Sequence, residues 1–270
     1  MSFNKNELIL DRVRSATTHD LSTGEMLLRL TQLEDPSLSC TAEGEDVTDA
    51  IGAVITTLYR AKKAAFSATN SLMSLDLAAA QYGTKKEVAG TKLEDGSDVK
   101  IEVPIYEILT IADGVTEVKL AHAPVGTVSY IYSITNGEIG TAYMAGSAAS
   151  ATEFVIAKDG TITLPTGLTG KVYVDYVYEA DGSEKNGANR VRNMAANFPE
   201  ACSLKIYAYF RDKCNENLLY SGVIIAPKAK LNPESVELAL TSTGKHGFEF
   251  TFMKDYCDED GELFSIIVAE

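Results

Sequence analysis

Apolar and polar residues alternate one by one along several stretches of this chain. A chain with that period must fold largely as sheet, because successive side chains of a strand point to opposite faces. In Lys171–Glu179 the even positions carry Val172, Val174, Tyr176 and Tyr178, while the odd ones include Lys171, Asp175 and Glu179. Leu204, Ile206, Ala208 and Phe210 repeat the pattern against Ser203, Lys205, Tyr207, Tyr209 and Arg211. Val99, Ile101, Val103 and Ile105 alternate with Lys100, Glu102 and Pro104, and a proline in a strand belongs at a sheet edge. Near the end Val236, Leu238 and Leu240 are followed by Phe248, Phe250 and Phe252, with a turn expected at Ser242-Thr243-Gly244. Shorter strands are expected at Leu8–Val13, Met26–Leu33, Val54–Tyr59, Val115–Ala121, Thr127–Ser133, Phe154–Ala157, Thr161–Leu164, Ser221–Ala226 and Leu263–Val268. The fold class is all-β, a β-sandwich or partly closed barrel.

One helix interrupts this pattern. Asn70-Ser71 offers a cap, Leu72, Leu75, Ala79 and Tyr82 recur at helical spacing, and Gly83 stands where a left-handed C-terminal residue belongs. The spacing predicts a flanking helix over about 70–82, with Leu72 and Leu75 against a sheet face. A weaker helical turn is expected around Ala188–Ala196. Gly83–Asp98, Asn136–Ala151 and Glu179–Asn197 read as long loops. The 270 residues are expected to form a single domain over 1–270, with a candidate β insertion at about 112–180.

Charge narrows the partners. Thirty-eight acidic against 24 basic residues leave a formal charge of −14, which disfavours a protein that grips nucleic acid by neutralising phosphates. No apolar run reaches the length of a membrane helix, and the charged start MSFNKNELILDRVRS is not expected to be a secretory leader. Cys40, Cys202, Cys214 and Cys257 lack metal-ligand spacing and are expected to be buried, reduced thiols of a cytoplasmic product.

A search for chemistry finds little. His19, His122 and His246 are far apart and read as turn or surface residues. Gly167-Leu-Thr-Gly170-Lys171 lacks the spacing of a phosphate loop and reads as a hairpin turn. Asp258-Glu259-Asp260-Gly261-Glu262 resembles half of a calcium loop, but Tyr256 and Ile267 stand where ligands are needed. No catalytic, cofactor-binding or metal-binding residue is therefore expected, and the protein is not expected to be an enzyme. Tyr130, Tyr132, Tyr143, Tyr173, Tyr176, Tyr178, Tyr207 and Tyr209 offer aromatic surface for a sugar or a subunit interface. Arg60/Lys62/Lys63, Lys85/Lys86 and Lys228/Lys230 read as one side of charge-complementary contacts or as solvated strand edges.

Read in order, several segments resemble the major tail tube protein of tailed bacteriophages. They begin with Asp46-Val-Thr-Asp49-Ala-Ile-Gly52-Ala-Val-Ile55, Lys63-Ala-Ala-Phe66-Ser67-Ala and the helix Ser71–Gly83. Val103-Pro-Ile-Tyr-Glu107, Val172–Tyr178 and Asn197-Phe198-Pro199 follow. Ile224-Ile-Ala-Pro227-Lys228-Ala229-Lys230-Leu, Val236–Leu240, Gly247–Phe252 and Leu263–Val268 complete the series. The resemblance implies a virion structural protein whose copies form rings, usually of six, stacked into a hollow tail tube that conducts DNA during ejection. Its partners would be itself, other tail proteins, and genomic DNA passing through the lumen without specific binding, with no membrane and no cofactor. It would reside in the virion tail, and in the host cytoplasm before assembly. A share of the excess acids is expected to face the bore, and Gly83–Asp98 is the expected inter-ring contact. The middle block exceeds what a minimal tube subunit needs. The alternative reading is another β-rich virion or surface module, such as a decoration, adhesin or carbohydrate-binding domain.

Overall fold

A computed structural model describes residues 7–213, 215–234, 236, 238, 244–256 and 261–269. Among them lie 17 strands and one helix. In chain order the first elements are β1 (Leu8–Asp20), β2 (Met26–Leu30), β3 (Leu33–Thr48), β4 (Val54–Asn70) and α1 (Leu75–Gln81). Next come β5 (Glu87–Val88), β6 (Ile101–Ile111), β7 (Glu117–Lys119), β8 (Tyr130–Thr135) and β9 (Glu138–Ala145). They are followed by β10 (Glu153–Ile156), β11 (Thr161–Thr163), β12 (Gly170–Ala180) and β13 (Asn189–Arg190). The last are β14 (Ala201–Asp212), β15 (Asn215–Leu231), β16 (His246–Phe252) and β17 (Ser265–Ala269). The protein is mainly β.

The chain divides into two compact units, Met1–Lys86 with Val191–Glu270, and Glu87–Arg190. The stretch 112–180 singled out in the sequence lies inside the second unit, which extends beyond it at both ends.

The first unit is built on one antiparallel sheet of order β2-β1-β14-β15-β16-β4-β3, with β17 also paired to β15. β3 also comes close to β1, so the sheet curls most of the way to a barrel. Alternation turns one row of side chains inward. Leu204 and Ile206 from β14, Ala226 and Ala229 from β15, Phe248, Phe250 and Phe252 from β16, and Phe66 from β4 form the core. Each fully buried Phe or Leu contributes about 1.5–3 kcal/mol relative to exposure.

The helix packs on this core but starts later than the sequence predicts. Its N-cap is Ser74, whose Oγ accepts from the Leu77 N–H at 3.2 Å, not Asn70 or Ser71. Leu72 therefore lies ahead of the helix and is 62% exposed, and Leu75 remains 37% exposed. The buried face is Leu77, Ala78, Ala79 and Gln81, which corrects the expected Leu72/Leu75 stripe. The C-terminus is as expected. Gly83 has φ +64, its N–H donates to the Ala80 carbonyl and the Thr84 N–H to that of Ala79, a Schellman closure. Gly83 also lies against the Phe198 backbone, where an added Cβ would come within 2.2 Å of the carbonyl oxygen.

The second unit carries a seven-stranded sheet, β6-β12-β8-β9-β10-β11-β7, and a two-stranded pair β13-β5. β6 is its edge strand, so Pro104 sits where a missing N–H is tolerated. Ile131, Phe154, Ile162, Val172 and Val174 are fully buried at its centre. Tyr176 is buried beside them. Its hydroxyl donates to Glu107, whose Oε1 also accepts from the Ala121 N–H at 3.0 Å, and the His122 N–H donates to the Tyr176 oxygen at 3.2 Å. Burial, and then the bond to Glu107, push the Tyr176 hydroxyl up to about 12.

Other expectations are revised. Asn136–Ala151 is not a loop, because β9 occupies its middle. Ala188–Ala196 forms no helix; it contains β13 and extended chain. Gly167–Lys171 is not a hairpin turn, because β11 pairs with β10 and β7 while β12 pairs with β6 and β8. Leu238 forms only an isolated bridge to His246; Leu240, Thr243 and the Asp258-Glu259-Asp260 run lie outside the described residues.

Candidate assembly surfaces

The least covered element of the first unit is the β3–β4 hairpin. The two strands pair from Leu33↔Asn70 to Thr48↔Val54. β16 lies on the other side of β4 only from Ala64 to Asn70. From Thr41 to Lys63 the hairpin is therefore a two-stranded ribbon with neither edge paired among the described residues, and almost every residue on it is exposed. Its tip and second strand display Ile51, Val54, Ile55, Leu58 and Tyr59; Ile51 is 89% and Tyr59 74% exposed. A lone two-stranded ribbon is marginal in water.

Local chemistry holds the ribbon in shape. At the tip the Asp49 carboxylate accepts from the Ile51 N–H at 3.0 Å and from the Ala53 N–H at 2.8 Å. Gly52, at φ +86, allows the tight return. Along the shaft Thr57 Oγ1 donates to Asp46 at 2.6 Å, and the Tyr59 ring lies over Gly44, whose missing side chain makes the room. Bulges between Thr41 and Glu43 and between Val47 and Thr48 add twist. Charge is segregated. β3 carries Glu43, Glu45 and Asp46, whereas β4 carries Arg60, Lys62 and Lys63. Lys63 meets Glu43 at 3.1 Å and Arg60 meets Glu45 at 3.6 Å within the ribbon.

The basic clusters read from the sequence find acids as expected at Lys86 (Asp76, 2.6 Å) and Lys228 (Asp255, 3.4 Å). The Gly83–Asp98 stretch is less free than a bare loop. Gly83 closes the helix and Ala89 is buried with Ile101 and Ala180, while the continuous exposed run is 92–98, which turns at Gly96.

The three histidines do not converge. His19 hydrogen-bonds within β1 and its turn, and the His122 ring stacks on Tyr178 at 3.9 Å. His246 overturns the surface reading, being fully buried. Its Nε2 faces Gln81 Oε1 at 2.5 Å, and Gln81 in turn donates to the Gly247 carbonyl, tying α1 to β16. Burial lowers the His246 pKa. Cys202 is buried as expected and its thiol pushed up to about 11 by burial, but Cys40 on β3 is exposed, against expectation. Cys214 and Cys257 lie outside the described residues. Among the described residues no group of three His, Cys, Asp or Glu is placed to hold a metal ion. Nor is any described helix long and apolar enough to cross a membrane.

The tyrosines divide between faces. Tyr176 is buried, Tyr143 and Tyr178 pack partly against the second unit's core, and Tyr207 and Tyr209 belong to the first unit. Tyr130, Tyr132 and Tyr173 share the opposite face of the second unit's sheet with Tyr106, which the sequence reading missed. Its signal was the parity it shares with Glu102 and Pro104, the outward positions of β6.

A comparison with curated proteins finds no match to the chain. The family comparison agrees with the resemblance to phage tail tube proteins and assigns a structural, tube-type role. The model of the YomU/Tube protein family matches residues 8–266, and the chain belongs to that family.

Proposed function

We propose that the protein is the subunit of stacked, hexameric rings forming a phage tail tube through which DNA passes during ejection. The observation that carries this reading is the β3–β4 ribbon, an apolar and edge-exposed element that another copy would cover. Its acidic β3 edge and basic β4 edge favour head-to-tail pairing, in which β3 of one copy meets β4 of the next. Head-to-tail contacts close into rings when the rotation allows. A net charge of −14 suits a conduit that must let a polyanion slide and not hold it. Within Gly83–Asp98, the turn at residues 93–97, part of the exposed run 92–98, is the proposed inter-ring contact. The subunit needs no cofactor and performs no catalysis on this reading.

Negative-stain microscopy of concentrated protein tests it. Rings or tubes are expected, and Ile55→Asp with Tyr59→Asp should abolish them while the thermal transition of the monomer stays within a few degrees. Shortening the 93–97 turn should leave rings that do not stack. A chain that stays monomeric at every concentration, even with the other tail proteins supplied, defeats the proposal.

A further inference from the structure

On the second unit's sheet the side chains opposite the core form a face of their own. Register places Ile108, Tyr173, Tyr132 and Ala142 in one row across β6, β12, β8 and β9, with Tyr106 opposite Asp175 and Tyr130 opposite Met144 beside it. Tyr106 and Tyr173 stack at 5.4 Å and 20°, Tyr173 and Tyr132 lie 6.3 Å apart, and so do Tyr132 and Tyr130. The four rings thus form a continuous line across three adjacent strands. Tyr106 is 60% exposed. Among the described residues none of the four hydroxyls has a hydrogen-bond partner, unlike those of Tyr176 and Tyr209.

We infer that this tyrosine line is a binding site for a neutral oligosaccharide. Size favours a small ligand over a protein. Four strands about 4.8 Å apart and four residues of about 3.4 Å along each give roughly 200 Å². A stable protein interface needs about 800 Å² on each partner. The chemistry favours a sugar. Aromatic rings accept the C–H faces of pyranoses, and four free phenol hydroxyls with the exposed Asp175 carboxylate match the hydroxyls around their rims. The rings brace one another, so little side-chain freedom remains to be lost on binding. Charge favours a neutral sugar over an acidic one. The face carries Glu102, Asp175 and Glu179 against Lys171, with Lys100 at 2.7 Å from Glu179. The inference does not depend on tube formation.

The test uses the full chain and its tyrosine fluorescence, which no Trp obscures. Maltotetraose, cellotetraose, laminaritetraose and chitotetraose are the neutral probes, with tetragalacturonate as the acidic one. At least one neutral probe should bind below about 1 mM. Tyr106→Ala and Tyr130→Ala should each weaken it about tenfold or more without moving the melting temperature, whereas Tyr207→Ala should not. Failure of all four neutral probes, preference for the acidic one, or indifference to the tyrosine substitutions overturns the assignment. So does a change of oligomeric state in Tyr106→Ala, by sedimentation, in place of a change in saccharide binding.

Discussion

Buried Tyr176 and half-buried Glu107 form a pair in which one hydroxyl satisfies a carboxylate and accepts from the chain at His122. Removing the hydroxyl leaves the half-buried carboxylate and the His122 N–H each short of a partner, which typically costs about 1–3 kcal/mol. Tyr176→Phe should lower the unfolding free energy extrapolated from urea denaturation by an amount in that range, with the midpoint falling and the slope of the transition unchanged. The same group sets an alkaline limit. Its folded pKa is raised, to about 12, so the unfolded chain ionises first at about 10. Its contribution is intact below pH 10 and is lost as pH climbs toward 12. Denaturation curves across that window should steepen the loss in the wild type relative to Tyr176→Phe. Thiol chemistry gives a second residue-level check. In a Cys214→Ser/Cys257→Ser background, Cys40 should react with a disulfide reagent in the native state. Cys202, buried with its thiol at about 11, should react only on unfolding.

Among the elements, α1 depends on its ends. It spans only Leu75–Gln81, too short to be stable alone, so caps and packing decide it. Ser74→Ala should cost about 1 kcal/mol through the lost cap. Gly83→Ala should cost more, since φ +64 and the Phe198 carbonyl both exclude a side chain. Thermal denaturation should rank the two in that order. The helix also shows where legibility ends. Gly83 announced the C-terminus because a left-handed residue has few alternatives, but the start was placed at Asn70-Ser71 although Ser74, a residue of the same capping type one turn on, is the N-cap. Strands buried on one face, such as β12 and β14, were readable from alternation. β3 and β9 were not, because both of their faces meet solvent over most of their length and nothing forces a period of two. The ribbon was visible only in part, as the segment 46–55 and a short strand at Val54–Tyr59; the rest of its length came from residues that carry no hydrophobic pattern. Tyr106 escaped for a related reason, since an outward tyrosine among inward isoleucines looks like core.

At the scale of the molecule, exposure is concentrated in parts that a lone copy does not need. Amide hydrogen exchange should separate them. In dispersed protein, amides of 41–48 and 54–63 should exchange faster than those of β14 and β15, whose ladder is internal to the sheet and unbroken from Leu204 to Arg211. In assembled material the ribbon should become protected by at least about tenfold if copies cover it. Equal exchange in both states would show that assembly uses another surface. One more feature bears on how such a chain is put together. The second unit is entered at Glu87–Val88 and left at Asn189–Arg190, and these two short strands are hydrogen-bonded neighbours, clasped by Arg190 and Glu87 at 2.6 Å. Departure and return therefore lie about one interstrand spacing, some 5 Å, apart. A splice of two or three small residues should span that gap, so a chain in which such a splice replaces 87–190 is expected to keep the registers of the first unit's sheet, the property that would let one cassette be traded for another.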